Sequence, residues 1–204
     1  MTASDYIVEK YKLVIGRHFP CKISATRHGG LTRLFAELGY KVGAEVGVEQ
    51  GKFSEEICKD NPGVKLYCVD PWQAYTRYAD HVDQAKLDRY FVEAVDRLAP
   101  YGVIIKRMTS LEAAKDFETN SLDFVYIDGN HEYQFVVNDI CEWMRVVRPG
   151  GILAGHDYRR DKAERIPFHV IQAVQGYADA YHIAPWFILT KDKADTWLWE
   201  KKSA

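Results

Sequence analysis

Lys41-Val42-Gly43-Ala44-Glu45-Val46-Gly47-Val48-Glu49-Gln50-Gly51 decides the fold. An apolar run short enough for a strand ends in a glycine loop, and helical spacing follows it, with Phe53 and Ile57 on one face. The same form recurs downstream. Lys65–Val69 runs into Asp70, Leu122–Ile127 into Asp128, and Gly151–Gly155 into His156-Asp157. In open parallel sheets, ligands sit outside the carboxyl ends of the strands. Acids gathered there predict a cleft for something cationic, or for a metal.

Outward from these runs, strands alternate with helical patterns, which predicts a doubly wound, mostly parallel α/β sheet. Ser4 is placed as the cap of a first helix reaching about His18. Leu31, Leu34, Phe35 and Leu38 form a second stripe, closed by Gly39. The first strand is expected over 40–46. Gly51–Lys59 reads as a helix, stopped at Asn61-Pro62-Gly63. Pro71–Asp80 is a polar-aromatic connection, and a helix with Val82, Ala85, Tyr90, Ala94 and Leu98 follows. Val103–Lys106 is the third strand, and Thr109…Glu112 has capping-box spacing. Val136, Ile140, Trp143 and Val147 mark the helix after the fourth strand, and Arg148–Gly151 reads as a turn into the fifth. Val170, Val174 and Tyr177 mark another helix. Ile183–Leu189 and Thr196–Glu200 then form a hairpin, giving an antiparallel edge and seven strands in all.

The chain has 204 residues, 47% hydrophobic and 27% charged, with a formal net charge of −2. One domain is the economical reading: helices over 1–39, a binding and catalytic core over 40–160, and a last helix and hairpin over 161–204. The charge gives no basic surface for nucleic acid. No apolar run is long enough for a membrane helix, and Asp5 and Glu9 interrupt the amino terminus, so neither an anchor nor a secretory signal is expected. Cys21, Cys58, Cys68 and Cys141 form no C-x-x-C pair and no zinc spacing. Cys68 and Cys141 read as buried free thiols, and a cytoplasmic setting fits. Both a monomer and a homo-oligomer remain open.

The loop lacks the G-x-G-x-x-G dinucleotide fingerprint, because Glu49 stands at the second glycine, and its carboxylates would repel a pyrophosphate. A helix N-terminus still offers N–H groups to an anion. S-adenosylmethionine, with one carboxylate, an ammonium and a sulfonium, suits both features. The segment resembles motif I of class I S-adenosylmethionine-dependent methyltransferases, keeping Glu45, Gly47 and Gly51. Asp70 is placed to accept the ribose hydroxyls. Trp72 either covers the adenosine or packs under the next helix. Ser110 sits where such enzymes contact adenine, or else serves its own helix.

Tyr126-Ile127-Asp128-Gly129-Asn130-His131-Glu132-Tyr133, then Arg148–Gly151 and Gly155-His156-Asp157-Tyr158, resemble the macrocin- and mycinamicin-type O-methyltransferases. The resemblance covers about residues 40–160. It implies a Rossmann-like methyltransferase acting on a hydroxyl of a small molecule such as a sugar or a glycosylated metabolite. Asp128 joins the cofactor set and, with Asp157 on the neighbouring strand, could share Mg²⁺ or another divalent ion. His131 and Asp128 are the candidate catalytic pair, with His131 taking the hydroxyl proton or serving only as a loop histidine. His156 departs from metal-dependent relatives, which often carry an acid there. It is either a third ligand or packs behind the sheet, since successive strand residues face opposite ways.

Two other readings stand beside this one. A nucleotide-dependent oxidoreductase or epimerase would want the missing fingerprint and a Tyr-x-x-x-Lys pair, which Tyr158 and Lys162 match only in a charged loop. A non-catalytic nucleotide-binding domain of the same fold is the other.

Overall fold

In the computed structural model, residues 1–75, 83–160 and 168–203 are described. Val82, Lys162 and parts of the Pro71–Asp80 and Arg159–Arg165 segments lie outside them. The strands are β1 (Cys21–Ile23), β2 (Val42–Val46), β3 (Lys65–Val69), β4 (Ile104–Lys106), β5 (Leu122–Ile127), β6 (Val147–Gly155), β7 (Phe187–Leu189) and β8 (Thr196–Glu200). They form one sheet in the order β1-β7-β8-β6-β5-β2-β3-β4. The helices are α1 (Ala3–Lys10), α2 (Thr32–Glu37), α3 (Lys52–Asp60), α4 (Gln84–Leu98), α5 (Ser110–Lys115), α6 (Tyr133–Val146) and α7 (Val170–Ala180).

Strand alternation sorts the core into two layers. In β5, Phe124 and Tyr126 join Ile7, Leu34, Phe35, Phe53 and Leu98 on one face. Val125 and Ile127 join Ala113, Val136, Ile140, Trp143 and Val174 on the other. Both faces are covered, so β5 is buried along its whole length, as parallel strands require. Full burial of each large side chain contributes about 1.5–3 kcal/mol. Gly43 pairs with Phe124, and a Cβ at position 43 would lie 2.3 Å from the Phe124 ring, which stacks on Phe35 at 4.0 Å.

Several expectations are corrected. The sheet has eight strands, not seven, because Cys21–Ile23 pairs parallel with β7. Three residues carry too little periodicity to announce a strand, and residues 1–39 are therefore not helices alone. The antiparallel β7–β8 pair is present, but it is not the edge, since β8 lies between β6 and β7. The cap of α1 is Thr2, through a reciprocal box with Asp5, and the helix stops at Lys10 rather than near His18. Lys12 at φ +49° cannot continue it. Of the apolar spacing Ile7, Tyr11 and Val14 that suggested the longer helix, Val14 is exposed. Val147 and Arg148–Gly151 belong to β6, not to helix and turn. Ala85 is exposed, and Leu87 takes the inward place on α4. Cys68 is buried as expected, whereas Cys141 is exposed. Among the described residues, no helix is long and apolar enough to cross a membrane.

Candidate active site

β2 pairs with β3 on one side and β5 on the other, and the chain reaches them in opposite directions from β2. This is the switch point at which a crevice opens beyond the strand ends in doubly wound sheets. Gly47 bridges it. Its N–H donates to Val69 O at 2.9 Å, and Asp128 N–H donates to Val46 O at 2.7 Å. Gly47 has φ +88°, and a Cβ there would lie 2.0 Å from the Asp128 carbonyl oxygen. Only glycine meets both demands.

The loop keeps a left-handed backbone at Glu49 (φ 51°) and Gly51 (φ 73°), and α3 starts at Lys52. Asp70 fastens it to the end of β3. One carboxylate oxygen accepts the Glu49 N–H at 2.9 Å, and the other accepts the Trp72 N–H at 2.7 Å. Trp72, itself at φ 43°, donates its indole N–H to Glu49 O at 2.8 Å. Its side chain is buried and meets Phe91 of α4 edge-on, so it packs under the helix.

Glu45 lies below the loop, 2% exposed, with the Ser54 hydroxyl donating to it. Burial pushes its carboxyl up to about 8, against the Ser54 hydrogen bond. It is therefore a neutral buried group at pH 7 rather than an anionic wall of the crevice. Ser110 is engaged as well: its hydroxyl donates to Asp139 at 2.5 Å and accepts the Trp143 indole N–H at 2.8 Å. Thr109 is the cap of α5, in the expected box with Glu112. Burial raises Asp139 to about 7, with Ser110 opposing.

At the ends of β5 and β6 the remaining residues converge. His131 Nε2 lies 2.9 Å from Asp157 Oδ2. His156 Nδ1 lies 3.5 Å from both Asp128 Oδ1 and Asp157 Oδ2. The ladder runs one residue past β6, with His156 N–H donating to Ile127 O at 2.9 Å. Asp157 then turns to φ 56°, which breaks strand alternation and lets both side chains enter the crevice. Burial opposes charge on His156, but Asp128 and Asp157 outweigh it and raise the imidazole to about 9. Asp157 is also opposed by burial, and the hydrogen bonds from His131 and His156 hold it well below the usual carboxylate range.

Asp128, His131 and Asp157 bring ligand atoms within 4.8 Å of one another, close enough to share a cation. His156 is not in that set. The donor types suit a hard divalent ion, yet each carboxylate already has a guanidinium. Arg27 Nη1 lies 2.8 Å from Asp128 Oδ2, and Arg159 Nε lies 3.1 Å from Asp157 Oδ1. A bridging ion would have to enter beside both positive charges, so the residues as arranged fit a resident divalent metal poorly.

Sequence reasoning missed Arg27. It follows β1 by a few residues, and its N–H donates to Asp192 Oδ2 at 2.5 Å, across 165 positions. Only the unexpected pairing of β1 with β7 brings that segment to the site. The one local signal was an arginine in a Gly-Gly stretch ahead of a helical stripe.

The fold is shared with solved methyltransferase structures. An O-methyltransferase family protein from Burkholderia thailandensis is 12% identical with a TM-score of 0.60, over 85% of this chain and 55% of that one. The chain thus spans about half the length of that protein. The N-methyltransferase NodS from Bradyrhizobium japonicum WM9 is 16% identical (TM-score 0.60, 87% of this chain, 95% of that one). An rRNA methylase from Streptococcus thermophilus is 12% identical (TM-score 0.61, 87% and 98%). At such identities the likeness is one of fold. No curated protein matches the sequence. A family model described as a methyltransferase domain matches residues 44–158, more than half of the chain, and the chain belongs to that family of S-adenosylmethionine-dependent methyltransferases.

Proposed function

We propose that this methyltransferase acts on a hydroxyl of a small molecule, such as a sugar or a glycosylated metabolite. The observation that carries the reading is the His131–Asp157 contact of 2.9 Å at the ends of β5 and β6, beside the crevice of the Gly47 loop. Asp157 holds the His131 ring through Nε2, and in this reading the imidazole so oriented takes the proton of a hydroxyl. Amines already carry a usable lone pair once deprotonated, whereas an alcohol gains most from a base placed at the moment of attack.

S-adenosylmethionine supplies an electrophilic methyl group on a sulfonium. Asp70 and the Gly47–Gly51 loop are the residues that would hold it: an acid for the ribose hydroxyls and backbone N–H groups at the start of α3 for the carboxylate. Asp128 lines the far wall. Much of the rate would come from alignment, because acceptor oxygen, methyl carbon and sulfur must be collinear. The four free thiols go with a reducing, cytoplasmic setting.

The test is a methyl-transfer assay that detects S-adenosylhomocysteine, run over panels of sugar, phenol and amine acceptors. Turnover of a hydroxyl acceptor should fall roughly 10²–10⁴-fold in His131→Asn. Activity confined to amines, or a His131→Asn protein that keeps its kcat, would overturn the assignment.

A further inference from the structure

Asp128 and Asp157, which read in sequence as metal ligands, are held by cations belonging to the chain itself. Arg27 is the better anchored of the two. Its Nη1 donates to Asp128 Oδ2 at 2.8 Å and to the Tyr126 hydroxyl at 2.9 Å. Its Nε is 3.2 Å from His28 Nε2, and its Cζ stands 5.0 Å from the centre of the Phe53 ring. Asp192 fixes its backbone from the β7–β8 loop. Nη2 has no hydrogen-bond partner among the described residues. A guanidinium so placed has a set direction and cannot be chelated away.

We propose that Arg27 is the positioning cation of the acceptor site, its guanidinium holding Asp128 so that this carboxylate does not join Asp157 and His131 around a divalent ion, with Nη2 left for an oxygen of the acceptor. The inference rests on the reading of the β5 and β6 ends as the acceptor side. It assigns two separate tasks. Arg27 fixes Asp128 and steers the acceptor oxygen, while proton removal stays with His131 and Asp157. A guanidinium cannot activate a hydroxyl as a metal does by direct coordination, so the dyad is needed. It also makes the enzyme indifferent to chelators.

Mn²⁺ is the probe, followed by electron paramagnetic resonance with calorimetry alongside. Wild-type protein should take up no stoichiometric Mn²⁺ at the site. Arg27→Met should expose the Asp128, His131 and Asp157 donors and bind the ion at least roughly tenfold more tightly, an effect reversed by adding Asp157→Asn. Arg27→Gln repeats the test with a polar side chain should the methionine variant fail to fold. Stoichiometric binding by the wild type that is lost in Asp157→Asn overturns the proposal. So does the lack of any new site in both Arg27 variants, since Arg27 would then not be what closes it. S-adenosylhomocysteine binding is measured separately. If the wild type does not bind it, the methyltransferase reading fails while the Mn²⁺ results keep their meaning.

Discussion

Replacing Glu45 by glutamine should stabilise the protein at neutral pH. The side chain is 2% exposed and meets Ser54, and its carboxyl titrates near 8 instead of 4.5. The direction follows from linkage. As pH rises past 4.5, the unfolded chain ionises this group while the folded protein keeps it protonated, so the folded state loses ground until about pH 8 and no further. At about 1.4 kcal/mol per pH unit, the loss accumulated from pH 4.5 to pH 7 is about 3 kcal/mol. A glutamine side chain at this position would have nearly the same shape, could still accept the Ser54 hydrogen bond, and has nothing to ionise. Urea unfolding of both proteins at pH 5, 7 and 8 measures the difference. The two should agree to within about 1 kcal/mol at pH 5, with the variant ahead by about 3 kcal/mol at pH 7 and an unchanged urea slope. A variant that is less stable by a constant amount at every pH would refute the reasoning, because Glu45 would then be a needed anion in the folded state.

Other consequences can be measured directly. Asp70→Asn should weaken S-adenosylmethionine binding roughly 10–100-fold by calorimetry, as a charged acceptor is lost from the crevice. Gly47→Ala should cost about 3 kcal/mol or more in thermal unfolding, since neither φ +88° nor the approach to Asp128 O admits a Cβ. Asp123 accepts N–H groups of Lys41 and Val42 and the Arg148 side chain, which overcome burial and lower its titration. Its contribution is complete above the ordinary value of 3.8 and fades as pH falls through the lowered one. Melting temperatures of Asp123→Asn should therefore lie below wild type at pH 7 and converge with it toward strongly acid pH.

How far the sequence could be read depended on whether a feature is local. Strand-ending glycines and acids, the Thr109–Glu112 box and the stripes of α2, α3 and α6 are set by neighbours within a few positions, and each was legible. Strand β1 was not, because three residues gain their identity only from pairing with β7. Arg27 was lost for the same reason, as a contact spanning 101 positions to Asp128 leaves no mark on local spacing. The His156 puzzle came from assuming that alternation continues. A left-handed Asp157 ends it, and non-glycine residues at positive φ are not announced by composition. All five tryptophans are buried, with Trp186, Trp197 and Trp199 packed together against Tyr177 of α7, contacts between distant segments that local spacing does not announce.

Charge is where the structure most changes the meaning of the sequence. Four acidic strand ends suggested a uniformly negative mouth, yet the acids are not alike. Glu45 is neutral through burial, while Asp128 and Asp157 face guanidinium and imidazole groups from Arg27, Arg159, His131 and His156. Asp70, at the end of β3, accepts backbone N–H groups of Glu49 and Trp72 that orient it. The strand ends thus differ: at β3 a carboxylate is oriented by backbone N–H groups, where on the proposed function a cationic, ribose-bearing donor would lie, and at β5 and β6 cations meet both carboxylates, where on the same reading a hydroxyl would lose its proton. A uniformly acidic site would hold the donor but hinder that second step, because deprotonation beside unpaired carboxylates is opposed by like charge. On this argument, exchanging Arg27 for a neutral residue should harm turnover of the acceptor more than donor binding, a division that kcat and the S-adenosylhomocysteine affinity report separately.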